Sequence, residues 1–114
     1  MLKIYHNPRC SKSREGLDLL KNFGKDFQVM EYLKEVPSEE EIKEILKILE
    51  LPAIDLVRKN EAVWKENYRG KKLSEEEIIR AMHEHPKLIE RPIVVKDGKA
   101  VIGRPPETIK KLLK

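Results

Sequence analysis

The sequence predicts an α/β fold in which a block of helices separates two groups of strands. A strand–helix–strand pattern opens the chain within residues 2–32. Helical periodicity dominates residues 38–86, and a strand–turn–strand pattern follows within residues 93–102. Since both groups of strands are short, we expect them to join in one small mixed sheet with the helices inserted between them.

The first group of strands forms a βαβ unit. Residues 2–5 are typical of a strand, residues 11–23 of a helix that ends at Gly24, and residues 27–32 of a second strand. Two strands joined through a helix in this way are expected to be parallel, with a right-handed crossover.

Two helices of the middle segment have clear starting signals. Ser38 is followed three residues later by Glu41, and Ser74 is followed by Glu77 in the same way, so each pair predicts a capping box. Apolar residues recur at helical spacing after both pairs, and Pro86 is expected to stop the second helix.

The chain between these two helices is less regular. A short helix is predicted through Ile54, Leu56 and Val57, and residues 61–72 are interpreted as a loop with a turn at Gly70. Within that loop, Trp64 and Tyr68 are expected to be packing anchors rather than a binding platform.

The end of the chain predicts a hairpin and a last helix. The strands 93–95 and 100–102 flank Asp97-Gly98, and Gly103 to Pro106 are expected to open the helix. The complete order, βαβ, helices, then ββα, is that of a thioredoxin-like fold with a mixed four-stranded sheet. We therefore predict one domain over residues 1–114, with a helical insertion at about 37–90.

The composition excludes several classes of function. The chain has 114 residues, 39% of them charged, a net charge of +4 and only 5% aromatic residues, which does not favour nucleic-acid binding. No apolar run is long enough to span a membrane, and the start lacks the apolar core of a signal peptide, so we expect a cytoplasmic protein. A monomer is expected because no exposed apolar stripe is evident.

Cys10 is the only cysteine and lies where the first strand turns into the first helix. The positive end of the helix dipole favours the thiolate there, and so do Arg9, Lys12 and Arg14 and, when protonated, His6. The alternative is an incidental buried cysteine that behaves as a small apolar residue. The basic surroundings indicate that a reactive thiol at this place would attack an anion.

Two arginines flank the predicted hairpin at its open end. Arg91 precedes Pro92, which we expect to form a cis peptide bond that brings Arg91 toward Cys10, although a surface arginine before a strand is the alternative. Arg104 follows the second strand and can therefore converge with Arg91. Guanidinium groups bind tetrahedral oxyanions through two parallel hydrogen bonds. A third cation could come from the insertion, where Arg58, Lys59 and Arg69 are candidates.

Other chemistries lack the residues they need. Ser13 stands where a Cys-x-x-Cys motif would have its second cysteine, so any disulfide chemistry must use an external thiol. The Cys-x5-Arg loop of tyrosine phosphatases is also missing. A metal site is not expected, because His83 and His85 cannot share a helical face and have no further ligands at suitable spacing.

With these residues in view, the sequence resembles the glutaredoxin-coupled arsenate reductase family over essentially the whole chain. Four segments carry the resemblance, and they occur in the order of the family: residues 4–14 around Cys10, residues 56–60 around Arg58, residues 85–95 around Arg91 and residues 102–107 around Arg104.

The resemblance implies specific roles. Cys10 would be the nucleophile that attacks arsenate, and Arg58, Arg91 and Arg104 would bind the oxyanion. His6 and Ser13 would help to keep the thiol ionised. Glutathione would be the co-substrate and glutaredoxin the partner that clears the mixed disulfide, with no bound cofactor.

Two alternatives remain open within this resemblance. One is a thiol-dependent reductase with an unassigned substrate. The other is a regulator of the Spx type that binds RNA polymerase, although Ser13 removes the disulfide switch that is common in those proteins. The complete set of three arginines favours the enzyme.

Overall fold

A computed structural model of the chain describes residues 2–105 and 107–113. The strands are β1 (Leu2–His6), β2 (Gln28–Glu31), β3 (Ile93–Lys96) and β4 (Lys99–Ile102). The α-helices are α1 (Ser11–Phe23), α2 (Glu39–Leu49), α3 (Ala62–Asn67), α4 (Glu75–Glu84) and α5 (Glu107–Leu113), and short 3-10 helices span Ala53–Leu56 and Pro86–Leu88. Pro106, predicted to help open the last helix, lies outside the described residues.

The four strands form one mixed sheet in the order β2-β1-β3-β4. β1 pairs in parallel with β2 and antiparallel with β3, and β3 pairs antiparallel with β4. This arrangement confirms the predicted thioredoxin-like fold class. Because of these directions, the carboxyl ends of β1 and β2 and the amino end of β3 lie at the same end of the sheet, which is where the Cys10 loop begins.

The chain divides into two compact units. The first comprises Met1–Glu35 and Arg91–Lys114, and the second comprises Val36–Glu90. The second unit contains helices α2 to α4, and its bounds are close to those of the predicted insertion at about 37–90. That the chain behaves as a single domain stays a prediction.

The first unit has an apolar core between its sheet and its helices. The buried side chains of this core are contributed by β1, α1, β3 and α5; they are Leu2, Ile4, Leu20, Val94, Ile109 and Leu113. A fully enclosed side chain of this size stabilises a fold by about 1.5–3 kcal/mol relative to an exposed one. The core thus holds α1 and α5 against the sheet and fixes where their first residues lie.

The hairpin between β3 and β4 turns at Asp97 and Gly98, as predicted. Both residues have positive φ, 48° at Asp97 and 81° at Gly98. A two-residue turn with positive φ at both positions matches the twist of the flanking strands, and Asp-Gly is a favoured sequence for it.

The second unit shows both predicted helix starts. The Ser38 hydroxyl accepts a hydrogen bond from the Glu41 N–H at 3.1 Å. At Ser74 the capping box is complete, since the hydroxyl accepts from the Glu77 N–H at 3.2 Å and the Glu77 carboxylate accepts from the Ser74 N–H at 2.9 Å. These contacts satisfy backbone N–H groups that the first turn of a helix leaves without partners.

Two predictions for the second unit are wrong in part. Residues 62–67 form helix α3 instead of a loop, because Trp64 is buried and stacks on Tyr68 one helical turn later, with 5.3 Å between the ring centroids. One aromatic pair is too small an apolar face to give visible periodicity in six residues. The short helix before it is of the 3-10 type and ends at Leu56, because Val57 pairs with Ile89 as an isolated β-bridge.

Candidate active site

The Cys10 side chain lies at the amino end of α1, where the helix leaves backbone N–H groups without helical partners. Cys10 is the N-cap residue, with an extended backbone (φ −98°, ψ 122°), and its carbonyl accepts the N–H of Arg14 at 3.0 Å. The backbone N–H groups of Ser13 and Lys12 act on its sulfur and lower the pKa of the thiol. Such donors stabilise a thiolate more than a thiol.

Asn7 shapes the loop that leads to the thiol. Its side-chain Oδ1 accepts the Arg9 N–H at 3.0 Å, and its carbonyl accepts the Cys10 N–H at 3.0 Å. An asparagine that bonds to the backbone two residues later forms an Asx turn, which tightens the chain. The residue is buried, and sequence reasoning did not single it out.

Arg91 and Arg104 both reach the Cys10 sulfur. The Nη2 of Arg104 lies 3.2 Å from Sγ, and its Nε donates to the backbone carbonyl of Arg91 at 2.8 Å. The guanidinium of Arg91 also interacts with the sulfur and lowers the pKa of the thiol. Two positive groups from the two ends of one hairpin therefore meet at a single sulfur atom, which is the convergence that the sequence led us to expect.

Close packing around Pro92 brings these two arginines together. The Gly103 N–H donates to the Pro92 carbonyl at 2.7 Å, so the chain after β4 is bonded directly to the chain before β3. A Cβ atom added at Gly16 would lie 2.8 Å from the Pro92 ring, and one added at Gly103 would lie 2.9 Å from it. The absence of side chains at both glycines is what lets α1 and the two loops approach. The Arg91–Pro92 peptide bond is cis, as expected, and so is Arg104–Pro105.

The pKa of the Cys10 thiol is lowered to about 7. Burial alone raises it, but the Ser13 N–H, the Arg91 guanidinium and the Lys12 N–H together outweigh that effect. A pKa near 7 means that about half of the thiol is ionised at neutral pH, whereas an ordinary cysteine is a few per cent thiolate.

His6 and Ser13 affect the Cys10 loop through a hydrogen bond to each other, not through a charge placed next to the sulfur. Burial lowers the pKa of His6, the largest effect, although Glu31 and Ser13 oppose it, so the imidazole is neutral at pH 7. Its Nδ1 lies 2.7 Å from the Ser13 hydroxyl, which also accepts the Asn7 N–H at 2.9 Å. Because desolvation disfavours the imidazolium, the condition under which His6 would add positive charge near the thiol is not favoured at neutral pH.

Ser13 is fully enclosed, and its hydroxyl bonds to the first strand and the loop. Its backbone N–H, not its hydroxyl, is the group that lowers the pKa of the Cys10 thiol. The His6–Ser13 pair thus anchors the first turn of α1 and keeps that N–H aimed at Cys10. Their role in activating the thiol stays a prediction.

Arg58 belongs to the second unit and is held there by two carboxylates. Its Nε lies 3.6 Å from Glu61 and its Nη1 lies 3.6 Å from Glu90, with all three side chains partly buried. The Arg58 N–H also donates to the Leu88 carbonyl at 2.7 Å. Its membership of the oxyanion site stays a prediction.

Tyr32 is a further residue of this region, and sequence reasoning did not single it out. Its side chain is 1% exposed, and it interacts electrostatically with the guanidinium of Arg91. The sequence signal that could have found it is its place directly after β2, at the end of the sheet where the thiol loop begins.

The described residues contain neither a cluster of metal ligands nor a helix suited to a membrane. Within residues 2–105 and 107–113, no three His, Cys, Asp or Glu side chains are grouped as metal ligands would be. None of the helices in that part of the chain has the length and apolar character needed to cross a lipid bilayer.

A thioredoxin-like sheet that carries a single low-pKa thiol between two guanidinium groups defines a class of thiol-dependent proteins suited to small anions. Comparison with known proteins gives the family. The chain belongs to the ArsC family, whose model matches residues 5–112.

Relatives of the chain are similar over almost their whole length. It is 52% identical to the uncharacterized protein YfgD of Escherichia coli, over 95% of this chain and 92% of that protein. It is 42% identical to an arsenate reductase of Neisseria meningitidis serogroup A, over 98% of this chain and 97% of the relative. Among solved structures, the arsenate reductase from Vibrio cholerae superposes with a TM-score of 0.93 and 49% identity, over 96% of this chain and 95% of that one.

Proposed function

We propose that this protein is an arsenate reductase, with Cys10 as the nucleophile and glutathione and glutaredoxin as the source of electrons. The observation that supports this most directly is the sulfur itself, which has a pKa of about 7 and lies 3.2 Å from Nη2 of Arg104. The names of the relatives from Neisseria meningitidis and Vibrio cholerae point to the same substrate.

The two guanidinium groups suit an incoming oxyanion as well as a thiolate. Each guanidinium carries five N–H donors in a planar fork, which matches pairs of oxygens on a tetrahedral anion. Arsenate would take over donors of Arg91 and Arg104 as it approaches the sulfur, and Arg58 would be the third cation of this set. Because the donors are already in place, they would stabilise the charge that accumulates on the arsenate oxygens in the transition state.

The first chemical step would join sulfur and arsenic. The Cys10 thiolate attacks arsenic(V), a sulfur–arsenic bond forms, and one arsenate oxygen leaves as water after it has gained protons from the solvent. The product is a covalent thiol-arsenate adduct in which arsenic is still pentavalent.

The remaining steps would transfer two electrons. The thiolate of glutathione attacks the Cys10 sulfur, the sulfur–arsenic bond breaks, and its electron pair stays on arsenic, which leaves as arsenite. The thiolate of glutaredoxin then attacks the glutathione sulfur of the mixed disulfide and releases the Cys10 thiolate. One internal cysteine is sufficient for this cycle, because both other thiols come from outside.

The deciding experiment is turnover of arsenate by the purified protein with glutathione and glutaredoxin. We expect arsenite to form with wild type and none to form with Cys10→Ser, which lacks the nucleophile. Cys10 is half-exposed at a loop, so the variant should keep its fold, as circular dichroism would show. Arg80→Ala, which removes an exposed arginine of α4, is the matched control and should turn over arsenate normally.

An absence of turnover with wild type under these conditions would contradict the arsenate proposal. The protein would then be a thiol-dependent reductase with another substrate. The name of the relative from Escherichia coli, an uncharacterized protein, is compatible with that alternative. Omitting glutathione or glutaredoxin in turn identifies the physiological reductant. The cytoplasmic location and the monomeric state stay predictions.

A further inference from the structure

Tyr32 and Arg91 leave the sheet at the same end, on the two strands that flank β1. Tyr5 pairs with Met30 of β2 and with Ile93 of β3. Tyr32 follows Met30 by two residues, and Arg91 precedes Ile93 by two residues. Because β2 is parallel and β3 antiparallel to β1, both residues extend past this row toward the loop that carries Cys10.

The two side chains interact electrostatically as well as lying at the same end of the sheet. Tyr32 is 1% exposed, so its phenol ring is fixed by packing on all sides. Its buried hydroxyl interacts electrostatically with the guanidinium of Arg91, and the same guanidinium interacts with the Cys10 sulfur. The five N–H donors of one arginine allow both contacts at once.

We propose that Tyr32 is a positioning residue, whose buried hydroxyl holds the Arg91 guanidinium in the orientation that reaches the Cys10 sulfur. An arginine side chain has many rotamers and loses considerable entropy when one of them is selected. The rigid phenol selects that rotamer before any ligand arrives, so the cation is already aligned when the thiol ionises.

This inference deepens the proposed function and rests on it only where arsenate is concerned. Its consequence for the thiol is independent of the substrate. A guanidinium that samples several side-chain conformations lowers the thiol pKa less than one that is held in a single conformation. Loss of the Tyr32 hydroxyl therefore makes Cys10 less reactive near neutral pH.

The test is the rate at which iodoacetamide alkylates Cys10 between pH 5.5 and 9.5 in Tyr32→Phe. This substitution keeps the ring and its packing, and thermal melting checks that the fold is intact. We expect alkylation at pH 6.5 to slow by about 3- to 10-fold, which is less than the loss of a direct charged hydrogen bond would cause, because the hydroxyl acts on the thiol only through Arg91. Tyr68→Phe is the matched control, because it removes a tyrosine hydroxyl in the second unit, and its rate should equal that of wild type.

The Arg91→Ala variant serves as a second background, which distinguishes positioning of Arg91 by Tyr32 from a general structural effect of the substitution. In Arg91→Ala, the additional change Tyr32→Phe should leave the alkylation rate unaltered, because its partner is already gone. Equal slowing in both backgrounds, or wild-type reactivity of Tyr32→Phe alone, would overturn the proposal. With arsenate, the KM of Tyr32→Phe should rise by a similar factor. Slower alkylation together with no arsenate turnover in wild type would support positioning while rejecting the proposed substrate.

Discussion

The reactivity of Cys10 depends on a balance between burial, which opposes its charge, and donors that favour it. The donors prevail and the pKa of the thiol falls to about 7. We predict that alkylation of wild type by iodoacetamide rises with pH to half its maximum near pH 7, instead of near the ordinary value of about 8.5. Because Cys10 is the only cysteine, the measured rate belongs to one site.

A midpoint at or above the ordinary value would show that the arginines and backbone donors do not act on the sulfur. The same protein unfolded in urea serves as the internal control, since its thiol loses every tertiary contact and should titrate with the ordinary value.

Removal of Arg104 should weaken binding of the oxyanion. Its guanidinium contacts both the sulfur and the Arg91 carbonyl, so Arg104→Ala removes one charged donor and loosens another. A hydrogen bond to a charged group contributes about 1.5–3 kcal/mol, and we therefore expect the Kd for arsenate to rise by roughly 10- to 150-fold. Isothermal titration calorimetry on the Cys10→Ser background measures this binding without reaction.

Arg104→Lys provides the informative comparison for that prediction. Lysine keeps the positive charge but lacks the planar fork that serves two acceptors, so its affinity should lie between those of wild type and alanine. Equal affinities in all three proteins would place Arg104 outside the oxyanion site.

Single residues were predictable where local sequence determines their surroundings. A thiol before a helix and two arginines beside a hairpin are visible in the chain, and their convergence follows from strand direction. Whether His6 is protonated had to be left open, because its pKa is lowered by burial, which only the folded protein creates. The contact of Tyr32 with Arg91 joins positions far apart in the sequence and leaves no local signal.

At the scale of elements, the capping box of α4 offers a test that avoids the site. Ser74→Ala removes the hydroxyl that accepts the Glu77 N–H, and we expect the free energy of unfolding to fall by about 0.5–2 kcal/mol. Urea denaturation measures the change, and thiol alkylation should be unaffected.

Ser74→Asp keeps an oxygen acceptor at the N-cap and adds favourable charge at the positive end of the helix dipole, so it should retain wild-type stability. If the aspartate variant were as unstable as the alanine variant, the loss would come from something other than the cap.

Elements with strong boundary residues were predicted well, and weakly marked ones were not. Helix α1, the caps at Ser38 and Ser74 and the turn at Asp97-Gly98 were all recognisable from residue type and spacing. Helix α3 was missed because its stability comes from the enclosed Trp64 and its stack on Tyr68. Burial of that kind is a tertiary effect that a six-residue pattern does not encode.

For the whole molecule, the low pKa of Cys10 links folding to pH. The thiol has a pKa of about 7 when folded and about 8.5 when unfolded, so the folded state binds fewer protons in this range. The stabilisation that the Cys10 thiolate provides is complete above the pKa of the unfolded thiol. It is lost as the pH falls through the pKa of the folded thiol. We predict that the stability of wild type relative to Cys10→Ser increases between pH 6 and pH 9.

Denaturant melts of both proteins at several pH values test this link. Titration of His6 and of the carboxylates is common to the two proteins and cancels in the difference. Since Cys10 is only half-enclosed and solvent screens its charge, the change should be modest. A difference that is flat, or that decreases toward pH 9, would contradict a thiolate-stabilised fold.

The thioredoxin-like layout of the whole chain was predictable because strand order, hairpin and crossover each follow general rules. The role of Arg58 stays a prediction, because no local sequence pattern relates this residue of the inserted helices to the thiol. Its two carboxylate partners, Glu61 and Glu90, were equally hidden from the sequence.

The Asp97-Gly98 turn lies at the far end of β3 from Arg91, with Pro92 and the four residues Ile93–Lys96 between them. Both turn residues are exposed, and neither contributes to the apolar core. A fluorescent label or an affinity peptide inserted at this turn would therefore report on the protein in living cells, or immobilise it on a sensor chip, without obstructing the sulfur.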